Sequence, residues 1–219
     1  MLLSNRYNFL FVHIAKTGGT SLRAALRRLA RRDPLFPAQF LVSRIDHLTG
    51  HRIGAKFPRH AKVIAAAEML PQPLFERLFK FAFVRNPWDL QVSSFHHLRR
   101  ERPQLLAGHA EFADFLRYKL DPARPYQYHI DTSITLQRDY LCGLDGRLLV
   151  DYVGRYERLA ADYAAICARL GVTAPSLPHK RRAADRGDYR RYYDDALAEQ
   201  VAQHFAADID AFGYRFDPD

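Results

Sequence analysis

Cysteine is almost missing from this sequence. Cys142 and Cys167 are the only two in 219 residues, and neither stands in a CxxC or metal-type spacing. A disulfide framework and a thiolate metal site are therefore not expected, and both thiols read as reduced packing residues. Long hydrophobic runs are missing too, since no window reaches the ~18 apolar residues of a membrane span. The N-terminal MLLSNRYNFLFVHIAKTGG has only a short apolar run, which leads straight into a polar loop with no small-residue cleavage site, so a secretory signal is not expected. The chain is expected to be soluble and cytoplasmic. Internal repeats and low-complexity linkers are absent, and the length suits one domain over 1–219. Lysine is scarce: of 33 basic residues six are lysine and 27 arginine. What remains is 48% hydrophobic, enough for a core, and carries a net charge of +9. Arginine forks suit phosphate, sulfate or carboxylate, so an anionic ligand, anionic polymer or membrane surface is favoured. An arginine-rich source proteome would give the same composition.

Residues 8–14 are apolar, aromatic and β-branched, the pattern of a buried strand. A loop over 15–20 follows. From Ser21 the apolar positions Leu22, Ala25, Leu26 and Leu29 fall at i, i+3, i+4 and i+7, which predicts a helix with Thr20 or Ser21 as N-cap. Loops and short helices are expected over 33–62 and a brief helix over 73–80. A second strand is expected over 79–84 and a helix from Trp88 to about Arg100. Another helix is expected over 108–118, then a Pro/Tyr-rich loop over 124–131. A third strand is expected over 148–155, a helix over 159–170 ended by Gly171, a basic loop over 180–186 and a last helix over 189–212. Alternating strands and helices predict an α/β fold with a mostly parallel sheet and helices on both faces.

The stretch AKTGGTS sits between the first strand and first helix. Backbone N–H groups at a helix N-terminus are unpaired and partly positive. Gly18 and Gly19 let the backbone approach an anion closely. Thr17, Thr20 and Ser21 add hydroxyls, and Lys16 a full charge, so the loop suits a phosphate or sulfate. The alternative is an ordinary strand–turn–helix with a capping threonine. A kinase loop reads GxxxxGK[ST], with lysine late. Here Lys16 precedes the glycines, and Asp151 stands at the start of its strand, poorly placed to hold Mg²⁺. Residues 79–95, FKFAFVRNPWDLQVSSF, repeat the arrangement. Arg85 lies at the C-terminal end of a buried strand, the edge where open α/β sheets bind ligands. Ser93 lies eight residues on, and the two can share one phosphate. The structural alternatives are a salt bridge for Arg85 and a packing role for Ser93.

The two motifs together resemble those of sulfotransferases. HIAKTGGTS is similar to their 5′-phosphosulfate loop and FAFVRNPWDLQVSSF to their 3′-phosphate motif. The likeness is to the carbohydrate sulfotransferase branch, with Golgi enzymes and bacterial relatives. It extends through VDYVGRYERL, LPHKRRAADRGDYRRYYDD and ADIDAFGYRF. Ala15 replaces the usual proline, and the loop over 180–187 lacks an Asn–Ser pair common in relatives. The resemblance implies a P-loop-like three-layer α/β/α fold and the donor 3′-phosphoadenosine 5′-phosphosulfate (PAPS), leaving adenosine 3′,5′-bisphosphate, with no metal. It assigns Lys16, Thr17, Gly18, Gly19, Thr20 and Ser21 to the 5′-phosphosulfate and Arg85 and Ser93 to the 3′-phosphate. Arg186 and Tyr189 would close over the nucleotide. The acceptor would be a hydroxyl, of a carbohydrate or glycan, and not nucleic acid.

Sulfuryl transfer then needs positioning, charge stabilisation and a base for the acceptor proton. Lys16 is the cation for the leaving oxygen. His60, in RHA, holds the place of a histidine found ahead of the strand-end arginine in relatives, and is the expected base. His47 and His51 are alternatives that would line the acceptor site, and His13 reads as structural or orienting. Three rival functions remain open from sequence: a metal-dependent P-loop small-molecule kinase, a basic nucleic-acid-binding module, and a relative that binds the nucleotide without transfer.

Overall fold

The computed structural model describes residues 1–31, 57–177 and 187–217. Its described residues form two compact units. The first draws on Met1–Ile14, Gly18–Val84 and Asp139–Lys180, the second on Ala15–Thr17, Arg85–Arg138 and Arg181–Asp219.

The first unit holds the sheet. Its strands β1 (Leu2–Ser4), β2 (Phe9–Val12), β3 (Phe79–Val84) and β4 (Tyr152–Arg155) lie in the order β1-β2-β3-β4. β1 pairs antiparallel to β2 with Leu3 opposite Leu10, while β2–β3 and β3–β4 are parallel, with Phe9 opposite Phe79 and Phe81 opposite Tyr152. The sheet is thus mostly parallel with one antiparallel edge. β1 has no counterpart in the sequence reading, because three residues are too few to show alternation. β2 and β3 are buried along almost their whole length, as strands covered on both faces are. β4 is shorter than the expected 148–155, and Leu148 makes only an isolated bridge to Cys142. Asp151, at its entrance, accepts the Lys80 N–H at 2.7 Å and pairs with the Lys80 ammonium at 3.1 Å.

Helix α1 (Gly19–Ala30) starts earlier than expected. Its N-cap is Gly18 in the left-handed region (φ 77°), without a side-chain cap, so neither Thr20 nor Ser21 serves as N-cap. The predicted apolar stripe is otherwise borne out, for Leu22, Ala25, Leu26 and Leu29 are all buried. They meet Phe9, Phe11, Phe81 and Phe83 from the sheet. Tyr163, Ile166 and Cys167 join the same core from a later helix, Leu159–Arg169. Short helices α2 (Val63–Met69) and α3 (Gln72–Arg77) precede β3.

The second unit is helical. α4 (Pro87–Glu101) opens on a strong start signal, with Pro87 in the first turn and the Asn86 side chain accepting from the N–H groups of Trp88 and Asp89. α5 (Phe112–Leu120) and the short α6 (Tyr128–Asp131) follow; α6 lies where a loop was expected. Next in chain order, the first unit's helix Leu159–Arg169 is α7. The expected last helix is broken into a 3₁₀ turn at Tyr189–Tyr192, α8 (Asp195–His204) and α9 (Ala206–Phe212). Asp194 interrupts it by capping α8, its carboxylate accepting from Leu197 N–H at 2.7 Å. Trp88, Phe95, Phe112, Phe115, Leu197, Val201 and Phe205 form this unit's core.

Candidate active site

His47, His51 and Arg186 lie outside the described residues. The others fall into two groups, one in each unit.

In the first unit, Gly18 and Gly19 shape the start of α1. The backbone at Gly18 is left-handed, which glycine adopts without the cost a Cβ imposes. Gly19 faces a different constraint, since a Cβ there would lie 1.9 Å from Nε2 of His13. The α1 N-terminus and the His13 ring are therefore in direct contact. Thr20 is exposed and Ser21 half-buried, on the same first turn. His60 lies in the turn ahead of α2, its ring centroid 4.7 Å from that of His13. His60 Nδ1 is 2.9 Å from the main-chain oxygen of His13. A carbonyl oxygen only accepts, so Nδ1 carries the proton, and in the neutral ring Nε2 bears the lone pair. Burial holds the His60 pKa below 6.5, opposed by the bond to His13 and helped by the charge of Arg59. His13 is buried and held down to about 2, by burial first and then by the adjacent His60. Both rings are thus neutral near pH 7, and the first unit brings the expected base beside the helix start through His13.

In the second unit, Lys16 and Arg85 meet although 69 residues separate them. Arg85 Nη1 donates to the Lys16 carbonyl at 2.9 Å. Lys16 itself is left-handed (φ 67°), unusual for a residue with a side chain. Thr17 is fully buried beside it in sequence. Arg85 Nε donates to Asp89, in the first turn of α4, at 2.6 Å. The structural reading of Arg85 as an ion pair therefore holds, and the same guanidinium also reaches the lysine loop. Ser93 lies half-buried on α4. Tyr189 donates its hydroxyl to the Phe216 carbonyl and receives the Asn86 amide at 3.4 Å. It thus ties the residue after Arg85 to the C-terminal segment.

Sequence reasoning passed over three further groups. Asp89 stood within the second motif without a role. Gln137 bonds both backbone groups of Arg85. Lys119 is fully buried, donating to Ser94 Oγ at 3.1 Å and Ser133 Oγ at 2.8 Å. Burial, then the charges of Arg124 and Lys16, push its pKa well below the ordinary lysine value. Only the i, i+4 spacing of Asp89 from Arg85 was a usable signal.

Among the described residues no helix is long and apolar enough to cross a membrane. A family model described as "Sulfotransferase family" matches residues 1–215. Carbohydrate sulfotransferase 14 of Mus musculus and of Homo sapiens are each 24% identical over 250 aligned positions, covering 98% of this chain. The chain spans 60% of the length of these curated relatives. No solved structure matches it significantly.

Proposed function

The chain belongs to the sulfotransferase family, and on that premise we propose that it moves the sulfuryl group of PAPS to an acceptor hydroxyl of a carbohydrate. One observation carries the donor reading: Arg85 of the second motif is bonded to the backbone of Lys16 in the first. An arginine fastened to a lysine- and glycine-bearing loop suits a ligand with two anionic ends. The name of the two relatives, carbohydrate sulfotransferase 14, supports a carbohydrate acceptor.

In this reading Lys16 to Ser21 hold the 5′-phosphosulfate, with backbone N–H groups at the α1 start supplying partial positive charge. Arg85 and Ser93 hold the 3′-phosphate, and Tyr189 supports that end through Asn86. The acceptor oxygen attacks sulfur in line, and its O–S bond forms as the S–O bond to the 5′-phosphate breaks. His60 Nε2 takes the acceptor proton. Lys16 donates to the departing phosphate oxygen, where negative charge grows. Removing one such preorganised donor costs about 3–4 kcal/mol of barrier. The leaving group is adenosine 3′,5′-bisphosphate.

A thermal-shift comparison tests this. Adenosine 3′,5′-bisphosphate at about a hundred times its Kd should stabilise the folded chain by about 2.7 kcal/mol. A shift with ATP–Mg²⁺ and none with the bisphosphate would reject the donor and favour a kinase.

A further inference from the structure

Gln137 belongs to neither motif, yet its side chain closes a ring of two bonds on the backbone of one residue. Arg85 N–H donates to Oε1 at 2.9 Å, and Nε2 donates to the Arg85 carbonyl at 2.8 Å. The parallel ladder ends at the preceding residue, where Val84 is opposite Arg155. The amide of Gln137 therefore does at residue 85 what a neighbouring strand would otherwise do. Gln137 is itself held from α9. Its own N–H and that of Arg138 donate to the two carboxylate oxygens of Asp208, at 2.8 and 2.9 Å. Asp208, Gln137 and Arg85 are 0%, 1% and 2% exposed. In such burial each bond is costly to leave unmade. From Arg85 the bonding continues to the left-handed Lys16 through its carbonyl. One connected path thus runs from Asp208 through Gln137 and Arg85 to Lys16, all within the second unit.

We infer that Gln137 is a positioning residue for the donor: it sets the Arg85 backbone, and through Arg85 both the grip on the 3′-phosphate and the placement of Lys16. The inference rests on the donor reading given above. A side-chain amide carries a donor and an acceptor side by side, and Gln137 uses both on the two main-chain groups of one residue.

Calorimetric Kd values for adenosine 3′,5′-bisphosphate and adenosine 5′-monophosphate test it, because their ratio isolates recognition of the 3′-phosphate. Gln137→Met keeps the side-chain volume and removes both bonds. The preference for the bisphosphate is expected to fall about tenfold. A variant that melts earlier but keeps the full preference would show a merely structural role and overturn the inference. Should Gln137→Met not be recovered folded, Asp208→Asn decides, since it loosens the hold on the Gln137 backbone and leaves the Gln137 side chain unchanged. A fall of about threefold is expected there, and an unchanged preference overturns the inference. If the unsubstituted protein binds both nucleotides equally, the donor reading of Arg85 fails and takes this inference with it. If it discriminates and Gln137→Met discriminates as well, this inference alone fails.

Discussion

His60 shows how a single bond decides chemistry. The His13 carbonyl assigns the proton to Nδ1, so the proposed base presents Nε2. Its pKa lies below 6.5, chiefly from burial. A base works when unprotonated, so turnover should persist to lower pH than an ordinary histidine allows, with its acid limb centred below pH 6.5. Release of adenosine 3′,5′-bisphosphate from PAPS, followed as a function of pH, measures it. An acid limb centred above pH 6.5, or a His60→Ala variant with normal turnover, would remove His60 from the role. At this scale Lys16 and Arg85, which the structure joins by a hydrogen bond, were legible as candidates for an anion site from residue type and spacing. Gln137 was not. It lies 52 residues from Arg85, and a buried glutamine's partner is set by the fold, which no local pattern encodes. Tyr189 was legible as a residue of interest, but its bond to Phe216 depends on how the C-terminal segment returns.

Helix α1 illustrates the same division among elements. Its stripe was readable from the 3.6-residue period, and so were β2, β3 and α4. Its first residue was not, because the start is decided by the left-handed Gly18 and not by a hydroxyl cap. At Gly19 the constraint is space and not backbone conformation, as its Cβ would enter the His13 ring. Gly19→Ala should therefore destabilise the chain by about 1–3 kcal/mol, the range for overpacking, in urea unfolding. A loss under about 0.5 kcal/mol, as at ordinary surface positions, would mean that His13 does not press on the helix. β1 escaped notice for its brevity. The break between the Tyr189–Tyr192 turn and α8 escaped because Asp194 caps a helix inside an otherwise helical pattern.

For the whole molecule, the alternation of strands and helices foretold the α/β class and the mostly parallel sheet. The division into two units left no linker in the sequence, since the chain passes between them within unbroken motifs, as at Ala15–Thr17. The molecule's stability should depend on pH through His13. Its folded pKa is about 2 against an ordinary 6.5. The unfolded chain binds a proton below 6.5 that the folded one refuses. The contribution is complete above pH 6.5 and is lost as pH falls toward 2. The loss from this one group approaches about 1.4 kcal/mol per pH unit. Urea midpoints at pH 7.5, 6.5 and 5.5 should decline in that order, and His13→Gln should lessen the fall between 6.5 and 5.5, while the buried Met1 amine, lowered to about 5, keeps a share of it in both proteins. An equal slope in both proteins would assign the dependence elsewhere. The His13–His60 bond has a last consequence, for inheritance. The acceptor that orients His60 is a main-chain oxygen, and every amino acid brings one. Substitution at codon 13 can reshape the ring packing, yet no codon can delete the atom that chooses the tautomer. Descendants of this chain can therefore lose His13 and keep a His60 that still offers Nε2.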